Sequence, residues 1–223
     1  VLPVTGAFKG HLGPDVYGSR YSHEDETVQA GYHQVRLLDY DINAELTAST
    51  RVGFHRYTFP ASEASHILFD FSTFLGPSDT ESGRVTMVSD TEISGVAAMA
   101  PTRRRPKTTN VYFVAVFDRP FDSFGAWKEG QLIPEVREID GRRTGAYVTF
   151  PTEEGEERMM KVAISYVSIE QARLNMQREV PHWDFDQVRE DTRAAWNEML
   201  GRIEVEGGTE TERRRFYTDL WHA

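Results

Sequence analysis

GYHQVRLLDYDINAELTASTRVGFHRYTFP, residues 31–60, decides the fold class. In its middle, Ile42, Ala44, Leu46 and Ala48 share one parity, and Asn43, Glu45, Thr47 and Ser49 share the other. A strand repeats every two residues, so this is a strand with one apolar and one polar face. Val35 and Leu37 alternate in the same way with Gln34 and Arg36 just before it. In the piece that follows, Val52 and Phe54 share a parity, whereas Tyr57 and Phe59 take the opposite one. That slip near His55 and Arg56 predicts a bulge, or a strand covered on both sides. The connections leave room only for tight turns, so the segment reads as a β-meander whose central strand has one side in a core.

Upstream, Gly6 to Ala30 is rich in Gly, His, Asp and Ser with little periodicity, and reads as a long surface loop. Downstream, SHILFDF (65–71) is a further strand with Ile67, Phe69 and Phe71 on one face. Gly76 to Gly83 reads as a loop, with strands following at Arg84 to Ser89 and Glu92 to Met99. VYFVAVF (111–117) is apolar at every position. Its β-branched and aromatic content favours a central strand covered on both faces over a buried helix. Asp140-Gly141 marks a hairpin before TGAYVTF, and Gly155, inside the acidic tip Glu153 to Glu157, marks another before the alternation of Met160, Val162, Ile164 and Tyr166. About a dozen short strands with turns between them spell a mainly β fold, an antiparallel β-sandwich.

At Ser168 the period changes. Ser168 with Gln171, Asp184 with Gln187, and Thr209 with Glu212 are capping boxes, each followed by helix formers. Phe185, Val188, Thr192, Ala195, Trp196, Met199 and Leu200 follow a three-and-four spacing, with Arg189, Glu190, Arg193 and Asn197 opposite. The last helix carries Phe216 and Leu220 on one stripe and Tyr217 and Trp221 on the next. Nothing in its last turn signals a C-cap, so it is expected to continue. The opening Val1-Leu2-Pro3-Val4-Thr5 is strand-like, with no initiator Met, basic n-region or cleavage site, so a preceding segment is expected too. The expected domains are a β-sandwich over 1–167, then a helical linker and the start of a second domain over 168–223.

At 223 residues the chain can bury one sizeable core. A formal charge of −10 argues against nucleic acid or an anionic membrane as partner, because both are held by clustered Lys and Arg. The one basic cluster, Arg103, Arg104, Arg105 and Lys107, lies between prolines and reads as a solvated loop. No apolar run reaches the ~20 residues of a membrane span. The absence of cysteine excludes disulfides and thiolate chemistry without fixing the compartment.

The densest set of candidate acid/base or ligand groups is His23, Glu24, Asp25 and Glu26. It can present His23 with Glu24 or Glu26 to a ligand or a neighbouring domain, or simply cap local backbone amides. Asp39-Tyr40-Asp41-Ile42-Asn43 imitates the start of a calcium loop, but Ala44 stands where the turn needs Gly and Thr50 where a bidentate Glu belongs. The seven histidines show neither H-x-H nor H-x3-H spacing, which argues against a self-contained zinc site. No carboxylate pair stands out as a catalytic couple, so neither a catalytic nor a metal residue is assigned within this segment. Trp127, Trp183, Trp196 and Trp221 could stack on sugar rings, although three of them lie in the helical tail, where packing is the commoner use.

YSHEDETVQAGY (21–32), ELTASTRVGFHRYTFP (45–60), YFVAVFDRPF (112–121), KVAISYVSIEQARLNMQREV (161–180) and RRFYTDLWH (214–222) together resemble glycoside hydrolase family 92, the calcium-dependent exo-acting α-mannosidases, in that family's order. The resemblance implies a galactose-mutarotase-like supersandwich followed by a helical linker leading into an α/α barrel. It implies an inverting hydrolase of terminal α-linked mannose, secreted or periplasmic. The acid, the base and the calcium ligands are expected in the barrel, outside this segment, and the active site where the two domains meet. His23, Glu24 and Glu26 would then form part of a substrate or domain-interface rim. The partners implied are a mannose-containing glycan and the C-terminal barrel of the same protein. The alternative is a stand-alone carbohydrate-binding β-sandwich without enzymatic activity.

Overall fold

The period-two patterns become strands and the capping boxes become helices. The computed structural model describes residues 1–8, 14–71 and 79–222. In chain order it runs β1 (Leu2–Thr5), a helical turn α1 (Pro14–Tyr17), β2 (Glu26–Gln29), β3 (Tyr32–Leu37), β4 (Ile42–Ala48), β5 (Val52–Phe59) and β6 (Ser62–Asp70). It continues with β7 (Thr80–Met87), β8 (Glu92–Met99), β9 (Thr109–Phe117), β10 (Ser123–Lys128), β11 (Gln131–Pro134), β12 (Glu138–Gly141), β13 (Thr144–Thr152) and β14 (Glu156–Ser165). Three helices close it: α2 (Ile169–Glu179), α3 (Phe185–Leu200) and α4 (Glu210–His222).

Among the described residues the strands form two antiparallel sheets, ordered β12-β7-β8-β9-β14-β5-β4-β3-β2 and β1-β6-β13-β10-β11. Their facing sides bury Ile42, Tyr57, Phe59, Ile67, Phe69, Val85, Ile93, Phe113, Val148, Phe150 and Met160 in one core. Such a sandwich is held chiefly by this apolar burial. Helices α2 and α3 cover the opposite face of the larger sheet, where Phe54, Val114, Ala163, Met176, Phe185 and Val188 form a second core. The result is three layers: sheet, sheet, helices.

This third layer explains the slip in β5. Its register with β4 and β14 is unbroken, so there is no bulge. Val52 and Phe54 face the helices while Tyr57 and Phe59 face the other sheet. The same layer overturns a one-sided reading of β4, because Glu45 and Thr47 on its polar face are buried. It also gives Arg189 a contact that its place on the polar stripe does not suggest, with the guanidinium 3.8 Å from the centre of the Tyr32 ring.

Other expectations shift. The segment read as a loop from Gly6 to Ala30 holds α1 and the edge strand β2. Its residues 9–13 lie outside the described residues, as do residues 76–78 of the loop expected at Gly76 to Gly83, whose remainder opens β7. Neither Asp140-Gly141 nor Gly155 turns a hairpin. β12 belongs to the larger sheet, β13 to the smaller one and β14 to the larger again, so at both turns the chain crosses between layers. All three N-caps form: Ser168 accepts from the Gln171 N–H, Asp184 from the Gln187 N–H, and Thr209 from the Glu212 N–H. Only at Thr209 does the reciprocal bond close the box, its N–H donating to the Glu212 carboxylate at 2.7 Å, whereas Gln171 and Gln187 turn to Asn175 and Asp191.

Candidate functional site

The His23 to Glu26 segment is a single 3-10 turn that runs straight into β2. Ser22, in extended conformation, caps it by accepting from the Glu24 N–H at 3.2 Å. The base of the loop is fastened to the β3–β4 connection. There the Asp39 carboxylate takes the Arg20 backbone N–H and Nε, each at 2.7 Å, and the Leu38 N–H donates to the Arg20 carbonyl. The Tyr21 ring meets the His23 imidazole edge-on at 5.3 Å.

The three residues singled out in this loop divide into two roles. Glu26 is committed: one carboxylate oxygen lies 2.6 Å from His23 Nδ1 and the other 3.0 Å from His33 Nε2 across the β2–β3 pair. These hydrogen bonds, to His23 first and His33 second, hold its carboxyl below the ordinary value. Glu24 is free: among the described residues nothing bonds its carboxylate. With Asp25 it lines an open polar groove of about 500 Å³, together with Thr27, Gln34, Arg36, Asn43 and Thr58. All of the groove's strand residues share the parity of Tyr32 and Phe54, on the helix-facing side of the larger sheet. Exposed Arg103, Arg104 and Arg105 lie in the β8–β9 connection, far along the sheet order from this loop.

Sequence reasoning missed what stiffens the groove. Gln34 Nε2 donates to Asn43 at 3.1 Å, and the Tyr32 hydroxyl lies 3.0 Å from Gln34 Oε1 and 2.8 Å from Glu45. Glu45 in turn receives Arg56 through two bonds of 2.9 and 2.8 Å, and Arg56 reaches Asp186 at the start of α3. Burial and the Glu45 charge push the Tyr32 hydroxyl up to about 12. Burial alone would raise Glu45, but its bonds from Arg56 and Tyr32 outweigh that and leave it below the ordinary carboxylate value. No signal in the sequence marks Glu45 for burial, because a carboxylate on the polar parity of β4 fits a solvated face.

Calcium finds no fitting set here. Asp39 is bonded to Arg20, Asp41 to Arg36, and the Asn43 carbonyl to Gln34. Among the described residues no three His, Asp or Glu side chains gather as metal ligands. Trp127 is buried on the outer side of the smaller sheet and offers no face to a sugar, and half-buried Trp183 meets Phe54 edge-on with Lys161 Nζ 4.1 Å from the centre of its ring.

Comparison with known proteins decides what this sandwich is. Residues 1–165 match the glycosyl hydrolase family 92 N-terminal domain. The chain belongs to family 92. Residues 171–223 match the family 92 catalytic domain, so α2 (in part), α3 and α4 fall in that second match. A family 92 α-mannosidase from Bacteroides thetaiotaomicron superposes with a TM-score of 0.87 at 30% identity, over 99% of this chain and 30% of that one. A family 92 inverting mannosidase from the same organism superposes at 0.87 and 25% identity, over 99% of this chain and 29% of that one. An uncharacterized secreted glycosidase from Arthroderma benhamiae is 31% identical over 87 residues, 36% of this chain and 11% of that protein. The family 92 chain described here therefore spans about 30% of the length of the solved relatives. No helix among its described residues is long and apolar enough to cross a membrane.

Proposed function

We propose that this chain is the non-catalytic N-terminal part of a longer glycosidase that removes terminal α-linked mannose with inversion, assisted by calcium and acting in the secreted or periplasmic space. The observation that carries the reading is the superposition of nearly the whole chain on family 92 mannosidases at 0.87. In this reading residues 1–167 are the supporting sandwich, and residues 168–223 are the helical linker and the start of an α/α barrel. Inversion needs an acid and a base about 6.5–9.5 Å apart, with a water between them and the sugar. Those groups and the calcium ligands belong to the barrel. The share of this chain is position: the loop bearing His23, Glu24 and Glu26 forms a rim toward the glycan or the barrel, with Glu24 offering an unpaired carboxylate to sugar hydroxyls.

A free-standing carbohydrate-binding module is the weaker reading. Such a module has no reason to leave Met199 and Trp221 open to water, or a helix α4 without one buried residue.

The test is hydrolysis of an aryl α-mannoside by the longer protein, with the anomer of the released mannose followed by NMR and the reaction repeated with a calcium chelator. β-Mannose appearing first, with activity lost to the chelator, is expected. Residues 1–223 alone are expected to turn over none. Absence of hydrolysis by the longer protein would overturn the reading.

A further inference from the structure

A second concavity lies away from the rim loop, along α3. It is a cleft of about 530 Å³ between the β4–β5 turn at Ser49 and Thr50 and the α3 stripe of Val188, Ala195, Trp196 and Met199. Among the described residues its polar groups are engaged apart from the Thr50 hydroxyl and one Asp191 oxygen. The Glu179 carboxylate accepts from the Ser49 hydroxyl at 2.6 Å and the Arg51 N–H at 2.9 Å. The Thr192 hydroxyl donates to the Ala48 carbonyl at 2.7 Å, and Asp191 accepts from Gln187 at 2.8 Å. What the cleft offers for the most part is methyl, thioether and indole surface. A small polar ligand needs convergent unpaired donors and acceptors, whereas an apolar side chain needs only such walls. Met199 is 53% exposed at the cleft mouth, and Trp196 is within 6.0 Å of Trp221, so the apolar surface runs on from the cleft onto α4.

The occupant follows from which part of the chain builds the cleft. Helix α3 lies within residues 171–223, which match the family 92 catalytic domain, while the solved relatives extend over roughly three times the length of this chain. Helices α3 and α4 by themselves leave that domain's apolar surface uncovered, and water-exposed apolar surface of this extent marks a contact. We infer that the cleft is the socket in which the rest of the catalytic domain seats an apolar side chain, fixing α3 as the joint between the two domains. The inference rests on the two-domain reading above.

The chain has no cysteine, which makes a single added thiol a clean probe. Ala195→Cys and, as a second site, Met199→Cys are introduced into residues 1–223 and into the longer protein. Both are treated with a maleimide, with the labelled peptide located by mass mapping. The expected result is fast labelling in residues 1–223 and at least tenfold slower labelling in the folded longer protein. Equal rates in the two overturn the socket. Protection in residues 1–223 that grows with protein concentration also overturns it, because the occupant is then a second copy. Mannoside hydrolysis by the unsubstituted longer protein is measured alongside. Hydrolysis with an open cleft sinks only the socket, and a protected cleft without hydrolysis sinks only the mannosidase reading.

Discussion

Glu45 and Arg56 face each other across the β4–β5 pair and join through two parallel hydrogen bonds, Nε to Oε2 at 2.9 Å and Nη2 to Oε1 at 2.8 Å. The pair is mostly covered, and its guanidinium also lies 4.3 Å from the centre of the Phe185 ring and bonds Asp186. It therefore connects the sandwich to the first turn of α3. Removing one partner leaves the other charge poorly solvated. Arg56→Met is expected to destabilise the chain by about 2–3 kcal/mol, read as the denaturant midpoint shift at unchanged m. Asp186→Ala, at the exposed end of the same network, is expected to cost under about 1 kcal/mol. Equal losses in the two variants would show that Arg56 acts only as a surface ion.

Acid stability divides into two windows. His55 is half-buried beside Tyr57, with Nδ1 2.8 Å from the hydroxyl, and the desolvation of its ring pushes the imidazole down to about 3. Its folded value lies below the unfolded value of 6.5, so between these the unfolded chain binds more protons. The contribution is therefore complete above pH 6.5 and is lost as pH falls toward 3. Glu45 and Glu179 are also lowered, each despite burial, through hydrogen bonds from Arg56 and Tyr32 and from Ser49 and Arg51. Their contribution is present above pH 4.5 and is lost as pH falls through their folded values. Melting temperatures of His55→Asn are expected to be lower at pH 7 yet flatter than the parent's between pH 6.5 and 4.5. Glu179→Gln is expected to flatten the curve only below 4.5. A steep fall of His55→Asn in the upper window would remove His55 as its cause.

Gly145 is where the smaller sheet admits its tryptophan. A Cβ built there would lie 1.9 Å from the Trp127 ring and 2.6 Å from the Phe69 carbonyl, neither of which is the free end of a flexible chain. Trp127 is fully buried. Gly145→Ala is expected to cost about 3 kcal/mol or more through overpacking, and to shift Trp127 fluorescence toward the red as the ring is pushed out. Gly155→Ala, at a position with open space but φ of +73°, is expected to cost only about 1 kcal/mol. Equal effects at the two glycines would mean that the neighbours of Gly145 give way and that overpacking against the indole does not set its cost.

The limits of the sequence have identifiable causes. Period two in β4 and the capping boxes at Ser168, Asp184 and Thr209 are local signals, and they predicted local structure correctly. Asp140-Gly141 and Gly155 are local signals as well, and they reported a change of direction. Which sheet receives the returning strand is set by distant pairs, Ala146 with Phe69 and Val162 with Gly53, and no turn residue encodes those. The edge strand β2 was invisible because ETVQ is four residues long and half exposed. With β2 unseen, His33 could not be placed beside Glu26, and the acidic run at 24–26 could not be divided into a free carboxylate and a committed one. The buried face of β4 is not legible because its covering by α3 is a tertiary event, and Glu45 on the polar parity points the other way.

That division makes the rim separable by experiment. Glu24 bonds nothing among the described residues, so Glu24→Ala in the longer enzyme is expected to leave the melting temperature unchanged. If its carboxylate holds a sugar hydroxyl or a barrel group in the transition state, the loss is that of one charged hydrogen bond. About 1–3 kcal/mol corresponds to roughly 5- to 150-fold in kcat/KM. Glu26→Ala leaves two imidazoles without their shared acceptor, so it is expected to lower the melting temperature, most clearly above pH 4.5, where the lowered Glu26 carboxyl is ionised. His23→Ala removes only one of those two bonds and should fall between the other variants in stability. The rim reading requires the activity loss of Glu24→Ala without a stability loss. Unchanged kcat/KM in both Glu24→Ala and His23→Ala would reduce the loop to a support for the edge strand β2, with Glu26 as its pin.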